Sequence, residues 1–287
     1  MKGLGICLSH DMRAGKGSLL ASGLAGAVLA LAVSIGLWTK ASLRDIDPAQ
    51  LSLGDYFTNY LAGIISQGLS LFGTGGRPFY LPSTWLLTML IPCYTVLWYP
   101  RRDLEAEGMQ VLLRSGSRLQ WWLAKNVWVA MGVFFYWLAG YATICVFALV
   151  TGATMGFANT ENIAALLALG ENSVAAWEQS VVPMLPSVPI ISVALALVET
   201  AIGAGASPAW GFCLVTATLF ISAFLPGSLL IGNYLMALRS AGMVAGGAAA
   251  TMGVSLGAAM AIAALALGSV AFKRLDVMGR GEQQDAH

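Results

Sequence analysis

Apolar residues fall into six long runs along this chain, and short polar or charged segments separate them. The hydrocarbon core of a bilayer is about 30 Å thick, and an α-helix crosses it in roughly 20 residues. We predict an all-α polytopic membrane protein, with one transmembrane domain spanning residues 1–287. Its six predicted spans are residues 20–37, 84–99, 126–151, 188–203, 210–234 and 242–272.

Two further stretches have apolar residues at helical spacing but are more polar than the six spans. Residues 51–73 interleave Asn59, Ser66 and Gln67 with their apolar positions, and residues 160–182 carry three glutamates opposite theirs. This pattern is typical of a helix that lies in the membrane interface or dips into it. The stretch 56–76 carries no charge, and its second interpretation is a seventh span. With seven spans, the assignment of basic residues to the two sides of the membrane given below would no longer hold.

Composition agrees with a membrane protein. The chain is 57% hydrophobic and only 10% charged, and its mean hydropathy is +0.74. Soluble domains carry about 25% charged residues, so this chain lacks the polar surface that water would require.

Basic residues are distributed unevenly between the two sides of the predicted membrane. With a cytoplasmic N-terminus the inner segments hold eleven of them: Lys2, Arg13, Lys16, Arg101, Arg102, Arg114, Arg118, Lys125, Lys273, Arg274 and Arg280. The outer segments hold four, namely Lys40, Arg44, Arg77 and Arg239. Cytoplasmic loops are enriched in Lys and Arg, so we expect both termini to be cytoplasmic and the first span to be an uncleaved anchor.

Candidate enzyme chemistry is sparse. The two histidines, His10 and His287, lie near the chain ends, and the four cysteines lack metal-ligand spacing. The sequence also has no complete phosphate-binding loop. We therefore expect no catalytic residues, no metal site, no cofactor and no nucleic-acid partner.

Glu199 is the one charged residue that falls within a predicted span. Charges at bilayer depth are costly and often mark ion or proton pathways, so an ion-coupled secondary transporter or channel is one hypothesis. The alternative is a carboxylate that reaches the cytoplasmic interface or bonds to a neighbouring helix. Neither a basic partner in another span nor a repeat between the two halves supports the transporter hypothesis.

The stretch "EGMQVLLRSGSRLQWWLAK", residues 107–125, is unusually rich in charge for its position between the second and third spans. Together with the preceding residues it predicts a short amphipathic helix that Asp103 caps and that Gly116 ends. Acidic residues at its start and Arg114 at its end suit the helix dipole. We place Trp121, Trp122 and Lys125 at the membrane interface. A solvated loop is the alternative interpretation.

These features resemble the membrane-spanning subunit of a type-2 ABC exporter, the permease. The likeness rests on that stretch, on "AFKRLDVM" (residues 271–278), on the short turn "GAGASPAWG" and on the layout of the six spans. It implies a coupling helix that docks on a separate ABC ATPase subunit, which binds ATP and Mg²⁺. The residues that would serve this coupling are Glu105, Glu107, Arg114, Arg118, Trp121 and Trp122. The resemblance further implies a second permease copy or a homologous permease, and a location in the bacterial plasma membrane.

Two features near the end of the chain leave alternatives open. Pro226 either kinks one long fifth helix or starts a re-entrant outer segment over residues 226–239. In the sixth span, Gly242/Gly246 and Gly253/Gly257 form two GxxxG pairs that allow close helix contact. That contact is either within the chain or between two permease copies.

The functional expectation is an ATP-driven exporter of an amphipathic or hydrophobic cargo, such as a peptide, an antibiotic or a lipid-like molecule. Few polar groups line the predicted spans, which argues against an ion or a free sugar. The alternatives are the transporter or channel that uses Glu199, and a membrane scaffold or accessory subunit without transport activity.

Overall fold

The computed structural model describes residues 2–65, 81–105, 108–115, 117–167, 180–244 and 246–274. The chain is 79% helical, and the described residues form no β-strand. Eleven α-helices are described: α1 Lys2–Ala14, α2 Lys16–Ser42, α3 Leu53–Tyr60, α4 Ser83–Leu97, α5 Tyr99–Glu105, α6 Gly108–Ser115, α7 Arg118–Val150, α8 Glu161–Leu166, α9 Met184–Gly205, α10 Pro208–Phe224 and α11 Ala250–Arg274. Short 3-10 helices occupy Pro48–Gln50, Ile231–Leu235 and Ala237–Arg239.

Four helices, α2, α7, α9 and α11, are long and apolar enough to cross a membrane. The apolar helix α10 has 17 residues and α4 has 15, about 26 Å and 22 Å of helix. Each of the six predicted spans overlaps a described helix, and four of these helices are long enough to cross a membrane.

The six helices alternate in direction between two ends of the molecule. We call one the α5–α6 end, where α1, α5 and α6 lie beside the start of α7 and the end of α11. The other is the α3 end, where α3, α8 and the 3-10 helices lie. Along the length between them, α2 packs on α7, α9 packs on α11, and α7 and α9 meet, with α4 against α2 and α9.

Small residues allow the closest of these helix contacts. At Gly26 of α2, an added Cβ would lie 2.2 Å from the carbonyl oxygen of Tyr136 on α7. A side chain there would have to separate the two backbones, so glycine is required for this contact.

Helix α3 is buried inside the protein. Seven of its eight residues are buried, and Phe57 and Tyr60 make edge-to-face contacts with Tyr141 and Trp137 of α7. Residues 51–65 are the described part of the predicted outer segment 51–73. They thus pack against the other helices, and helix α3 ends at Tyr60. Residues 66–80 and 168–179 lie outside the described residues, so the alternative of a seventh span stays a prediction.

Two predicted boundaries are corrected. The fifth helix ends at Phe224 instead of continuing to residue 234, because Pro226 cannot donate a backbone hydrogen bond. The chain then continues as two 3-10 helices, of which Ile231–Leu235 packs against α10 and Ala237–Arg239 against α3. The sixth helix begins at Ala250, after a turn in which Gly246 has φ of +76°. Gly242 and Gly246 precede α11 and do not form a helical pair.

Two described helices, α5 and α6, correspond to the predicted amphipathic helix. Helix α5 starts at Tyr99, before Asp103, so Asp103 lies inside α5 and does not cap it. Helix α6 follows from Gly108. Glu107 and Gly116 lie outside the described residues, as does the side chain of Arg114. The N-terminal helix α1, which the apolar pattern did not predict, packs against both α6 and α7.

Candidate functional site

A buried ion-pair cluster joins three helices at the α5–α6 end. The ammonium group of Lys125, on α7, bonds to a carboxylate oxygen of Asp11 on α1 and to one of Asp103 on α5. Its side chain is 1% exposed, and the carboxylates are similarly buried. We call these residues, with His10 and Tyr99, the Lys125 cluster.

His10 and Tyr99 complete the cluster. Nε2 of His10 lies 2.8 Å from Oδ1 of Asp103, and the Tyr99 hydroxyl donates to Oδ1 of Asp11 over 3.0 Å. The Lys125 ammonium lies 5.0 Å from the Tyr99 ring centroid and 4.9 Å from that of Trp121. At such distances, aromatic faces attract a cation.

The local sequence explains why these groups converge. His10 and Asp11 are adjacent on α1, and Tyr99 and Asp103 are four residues apart, on one face of α5. Lys125 lies two turns into α7. Because these side chains come from three helices, the cluster holds α1, α5 and α7 together.

Burial dominates the electrostatics of the cluster. It raises the pKa of Asp11, although Lys125 opposes this shift. Burial also raises the pKa of the Tyr99 phenol, and the nearby Asp11 and Asp103 carboxylates raise it further. Tyr99 is therefore a hydrogen-bond donor at neutral pH. Donor atoms of His10, Asp11 and Asp103 lie within 4.8 Å of one another, a spacing that could hold a metal ion. The Lys125 ammonium already supplies positive charge to both carboxylates.

Trp121 and Trp122 are buried within the protein, as is Lys125, and their place at the height of the membrane interface stays a prediction. The Trp121 ring stacks on Phe272 of α11, with centroids 4.8 Å apart. Trp122 Nε1–H donates to the Leu265 carbonyl over 3.1 Å. An added Cβ at Gly268 would lie 2.2 Å from Trp122. The two tryptophans therefore attach the start of α7 to the end of α11.

Arg118 strengthens the same contact. Its Nη1–H donates to the Lys273 carbonyl over 2.9 Å, which satisfies one of the last carbonyls of α11. Leu112 of α6 is buried in a hydrophobic cluster with Cys7, Trp121 and Phe272. Helices α1, α6, α7 and α11 thus meet in one apolar centre beside the Lys125 cluster.

The outer side of α5 and α6 is exposed. Glu105 forms a surface ion pair with Arg101 over 2.9 Å, while Arg102 and Gln110 are exposed. Leu113 is 63% exposed. We call Arg101, Arg102, Glu105, Gln110 and Leu113 the α5–α6 surface. Of the predicted coupling residues, Glu105 belongs to this surface. Arg118 instead bonds to α11, and Trp121 and Trp122 are buried.

Glu199 lies in the interior of the helix bundle. It is 1% exposed, and its carboxyl group faces Cys93 of α4. No other described group bonds to either of its oxygens. Glu199 therefore faces a neighbouring helix, which one of its two interpretations allows, and a role in ion or proton transfer stays a prediction.

Gly253 and Gly257 face other parts of the same chain. An added Cβ at Gly253 would lie 2.6 Å from Cβ of Tyr234, and one at Gly257 would lie 3.5 Å from the side chain of Ile191 on α9. Both glycines thus serve contacts of α11 within the chain. A contact between two permease copies through these glycines stays a prediction.

Comparisons with known proteins identify no relative. No family model, no curated protein and no solved structure matches this chain. The site is therefore interpreted from its own contacts.

The Lys125 cluster was missing from the sequence interpretation. Asp103 was expected to cap a helix and Lys125 to lie at the interface, and no role was predicted for Asp11. Of Asp11, Asp103 and Lys125, only Lys125 offered a signal, as a single charge between apolar and aromatic stretches, where an unpaired charge is costly.

Proposed function

We propose that this chain is the membrane-spanning permease subunit of an ATP-driven exporter, and that a separate ATPase subunit hydrolyses the ATP. The observation that supports this proposal best is the Lys125 cluster. It fastens α5, which packs on α6, to a helix long enough to cross the membrane.

Buried ion pairs suit the transmission of movement. Removing one partner of a buried pair costs about 3–5 kcal/mol because it leaves a charge without compensation. If a partner displaces α5 and α6, it therefore costs less free energy for α7 and α1 to move with them than for these helices to separate from Lys125. The contacts of Trp121, Trp122 and Arg118 extend this block to α11.

The α5–α6 surface has the chemistry of a docking site for a protein. It combines both signs of charge with one exposed leucine, and it lies at the end of the molecule that also carries Arg13, Lys16 and Lys273. By the positive-inside rule this end is cytoplasmic, the compartment that supplies ATP. Glu105, with Glu107 and Arg114 beside it in sequence, would pair with the ATPase.

The remaining parts of the proposal follow the resemblance to type-2 ABC exporters. Two permease copies, identical or homologous, pair in the bacterial plasma membrane, and the ATPase partner binds ATP and Mg²⁺. The cargo is amphipathic or hydrophobic, because few charged or strongly polar residues fall in the predicted spans.

Co-purification tests the proposal. The tagged chain is extracted from its native membranes in mild detergent, and co-purifying proteins are identified by mass spectrometry and assayed for ATP hydrolysis. We expect a protein with a phosphate-binding loop to accompany the wild type. The surface variant Glu105→Arg/Leu113→Glu and the charge swap Glu107→Arg/Arg114→Glu should lose it.

Lys40→Glu is the matched control, since Lys40 is an exposed charge at the α3 end. It should keep the ATPase. The proposal is wrong if monodisperse wild-type protein brings no ATPase, or if the surface variants keep it as well as Lys40→Glu does.

One observation favours ion-coupled transport as a second candidate. Glu199 is a buried carboxyl group beside a thiol, without a compensating cation among the described residues, and such groups inside membranes serve proton transfer. Liposomes containing the chain alone and a pH-sensitive dye test this function. Proton flux should be present in the wild type and in Glu161→Gln, and absent in Glu199→Gln; equal flux in all three excludes the role of Glu199.

A further inference from the structure

A cavity of about 460 Å³ lies at the α3 end, away from the Lys125 cluster. The segment after α10, the turn before α11 and the first turn of α11 enclose it. Most of its lining is apolar, and two polar side chains that converge on it are Asn233 and Arg239. This volume is within the range of small-molecule sites, which are mainly apolar with a few placed polar groups.

The guanidinium group of Arg239 is held in a fixed position. Nη1 and Nη2 donate to the Ser222 and Ala223 carbonyls, each over 2.6 Å. Nε donates to the Ile64 carbonyl over 2.9 Å, and Nη1 also bonds to Oδ1 of Asn233. Two of these four bonds cap the end of α10, and all four orient the side chain. They leave one of the five guanidinium N–H groups, on Nη2, for another acceptor.

The charge of Arg239 is uncompensated in the described part of the chain. All four of its acceptors are neutral, and no carboxylate of the described residues pairs with it. Arg239 is only 7% exposed. Burial lowers its pKa to about 10, so the group still carries its charge at neutral pH. A buried charge without a counter-ion is unfavourable, and an anion in the cavity would offset that cost.

The apolar walls define the rest of the ligand. Pro226, Leu238, Val244 and Met252 line the cavity together with backbone of the glycine-containing turn. Met252 is 51% exposed on α11, at a height where the proposed bilayer would begin. A molecule with an aliphatic part could therefore enter from the membrane side.

We propose that this cavity binds an amphipathic anion, whose aliphatic chain contacts the apolar walls and whose carboxylate or phosphate group receives a hydrogen bond from Arg239. The site is distinct from the α5–α6 surface and does not require an ATPase. Its ligand is either a membrane lipid or a free amphiphile with the same head-group chemistry.

Radiolabelled decanoate tests the site on the full chain in nanodiscs of neutral phosphatidylcholine, with empty nanodiscs as background. Unlabelled decanoate, decanol and decylammonium compete for the label. We expect saturable binding in which decanoate competes at least about tenfold better than decanol, equivalent to roughly 1.4 kcal/mol, while decylammonium competes least. Equal competition by the three compounds would overturn the anion preference.

Matched tryptophan substitutions locate the binding. Ala249 is exposed and lines the cavity, so Ala249→Trp should reduce affinity at least about tenfold. Ala259, also exposed on α11, does not line it, and Ala259→Trp should bind like the wild type. Unchanged binding by Ala249→Trp would place the ligand elsewhere and contradict the proposal.

Arg239 and the source of the ligand are tested separately. Arg239→Gln should abolish the advantage of decanoate over decanol; a retained advantage would exclude Arg239 as the anion-binding group. Ala249→Trp keeps the test valid if Arg239→Gln fails to fold. In nanodiscs with phosphatidylglycerol, loss of decanoate binding identifies a lipid head group as the resident ligand, and retained binding identifies a free amphiphile.

Discussion

At the scale of single residues, Lys125 has the largest structural consequence. Its ammonium compensates two carboxylates from two other helices, and no pattern in the sequence pairs residues that are 114 and 22 positions apart. Hydrophobic periodicity predicts where helices occur, but it does not specify which isolated charges meet. Lys125 could therefore be suspected as a charge in need of a partner, yet its two partners could be assigned only from the structure.

Replacing Lys125 by methionine should lower the free energy of unfolding by about 3–5 kcal/mol, because Asp11 and Asp103 would remain buried without a cation. Thermal unfolding in detergent measures the loss. Lys40→Met, which removes an exposed lysine, should change stability by no more than about 0.5 kcal/mol.

The triple variant Asp11→Asn/Asp103→Asn/Lys125→Met removes the buried charges together. It should recover most of the stability that Lys125→Met loses, since replacement of a whole buried ion pair is often nearly neutral. A triple variant less stable than Lys125→Met would contradict the view that uncompensated charge causes the loss.

Asp55, at the start of α3, provides a pH-dependent test. Its carboxylate accepts hydrogen bonds from the backbone N–H groups of Ser52 and Thr160 and from the Thr160 hydroxyl. Burial nevertheless raises the pKa of Asp55 above its ordinary value of 3.8. The stability that this proton linkage contributes is present at acidic pH and is lost as the pH rises through the folded-state pKa.

We therefore expect Asp55→Asn to be destabilised by about 1–3 kcal/mol at pH 7 through the lost acceptor. Its deficit relative to the wild type should grow as the pH falls towards 4. Unfolding of both proteins across this range measures the trend, and Asp45→Asn controls for removal of an exposed carboxylate at the same end. A deficit that shrinks in acid would show that the pKa of Asp55 is lowered instead.

At the scale of elements, contact between α7 and α11 depends on Gly268. An added Cβ would collide with Trp122 at 2.2 Å, whereas one at Gly257 would make an ordinary contact at 3.5 Å. Gly268→Ala should lower stability by about 1–3 kcal/mol by overpacking. Gly257→Ala should be neutral or stabilising by up to about 1 kcal/mol, because alanine favours the helix.

Denaturation of the two variants side by side checks this contrast, since both make the same substitution in one helix. Equal effects would mean that Trp122 moves freely and that the start of α7 is not fastened to α11.

Helix positions were largely predictable, while their ends were less so. Each apolar run contains a helix because a long apolar segment must satisfy its own backbone hydrogen bonds. The observed helix ends differ from the predicted ones where the local sequence stops a helix, as at Pro226 and Gly246. The apolar pattern did not predict α1, and it placed the start of α5 too late. Tertiary contacts with α7, rather than apolar periodicity, stabilise both helices.

At the scale of the whole molecule, two sites lie at opposite ends of the helix bundle. The α5–α6 end carries a rigid block with an exposed surface, and the α3 end carries the cavity beside Arg239. Helix α7 starts beside the Lys125 cluster and ends at Val150, so it connects the two ends directly. The central claim of the proposed function is that movement imposed on α5 and α6 reaches the α3 end through this helix.

The most direct test is a distance measurement by electron paramagnetic resonance on the chain reconstituted with its ATPase. Spin labels replace Val150 and Leu229, which are 80% and 85% exposed, after the native cysteines have been removed. Addition of ATP and vanadate should shift the distance distribution when the Lys125 cluster is intact, and the shift should be largely lost in the charge-free triple variant. An equal shift in both proteins, or none with the intact cluster despite ATP hydrolysis, would contradict transmission through Lys125.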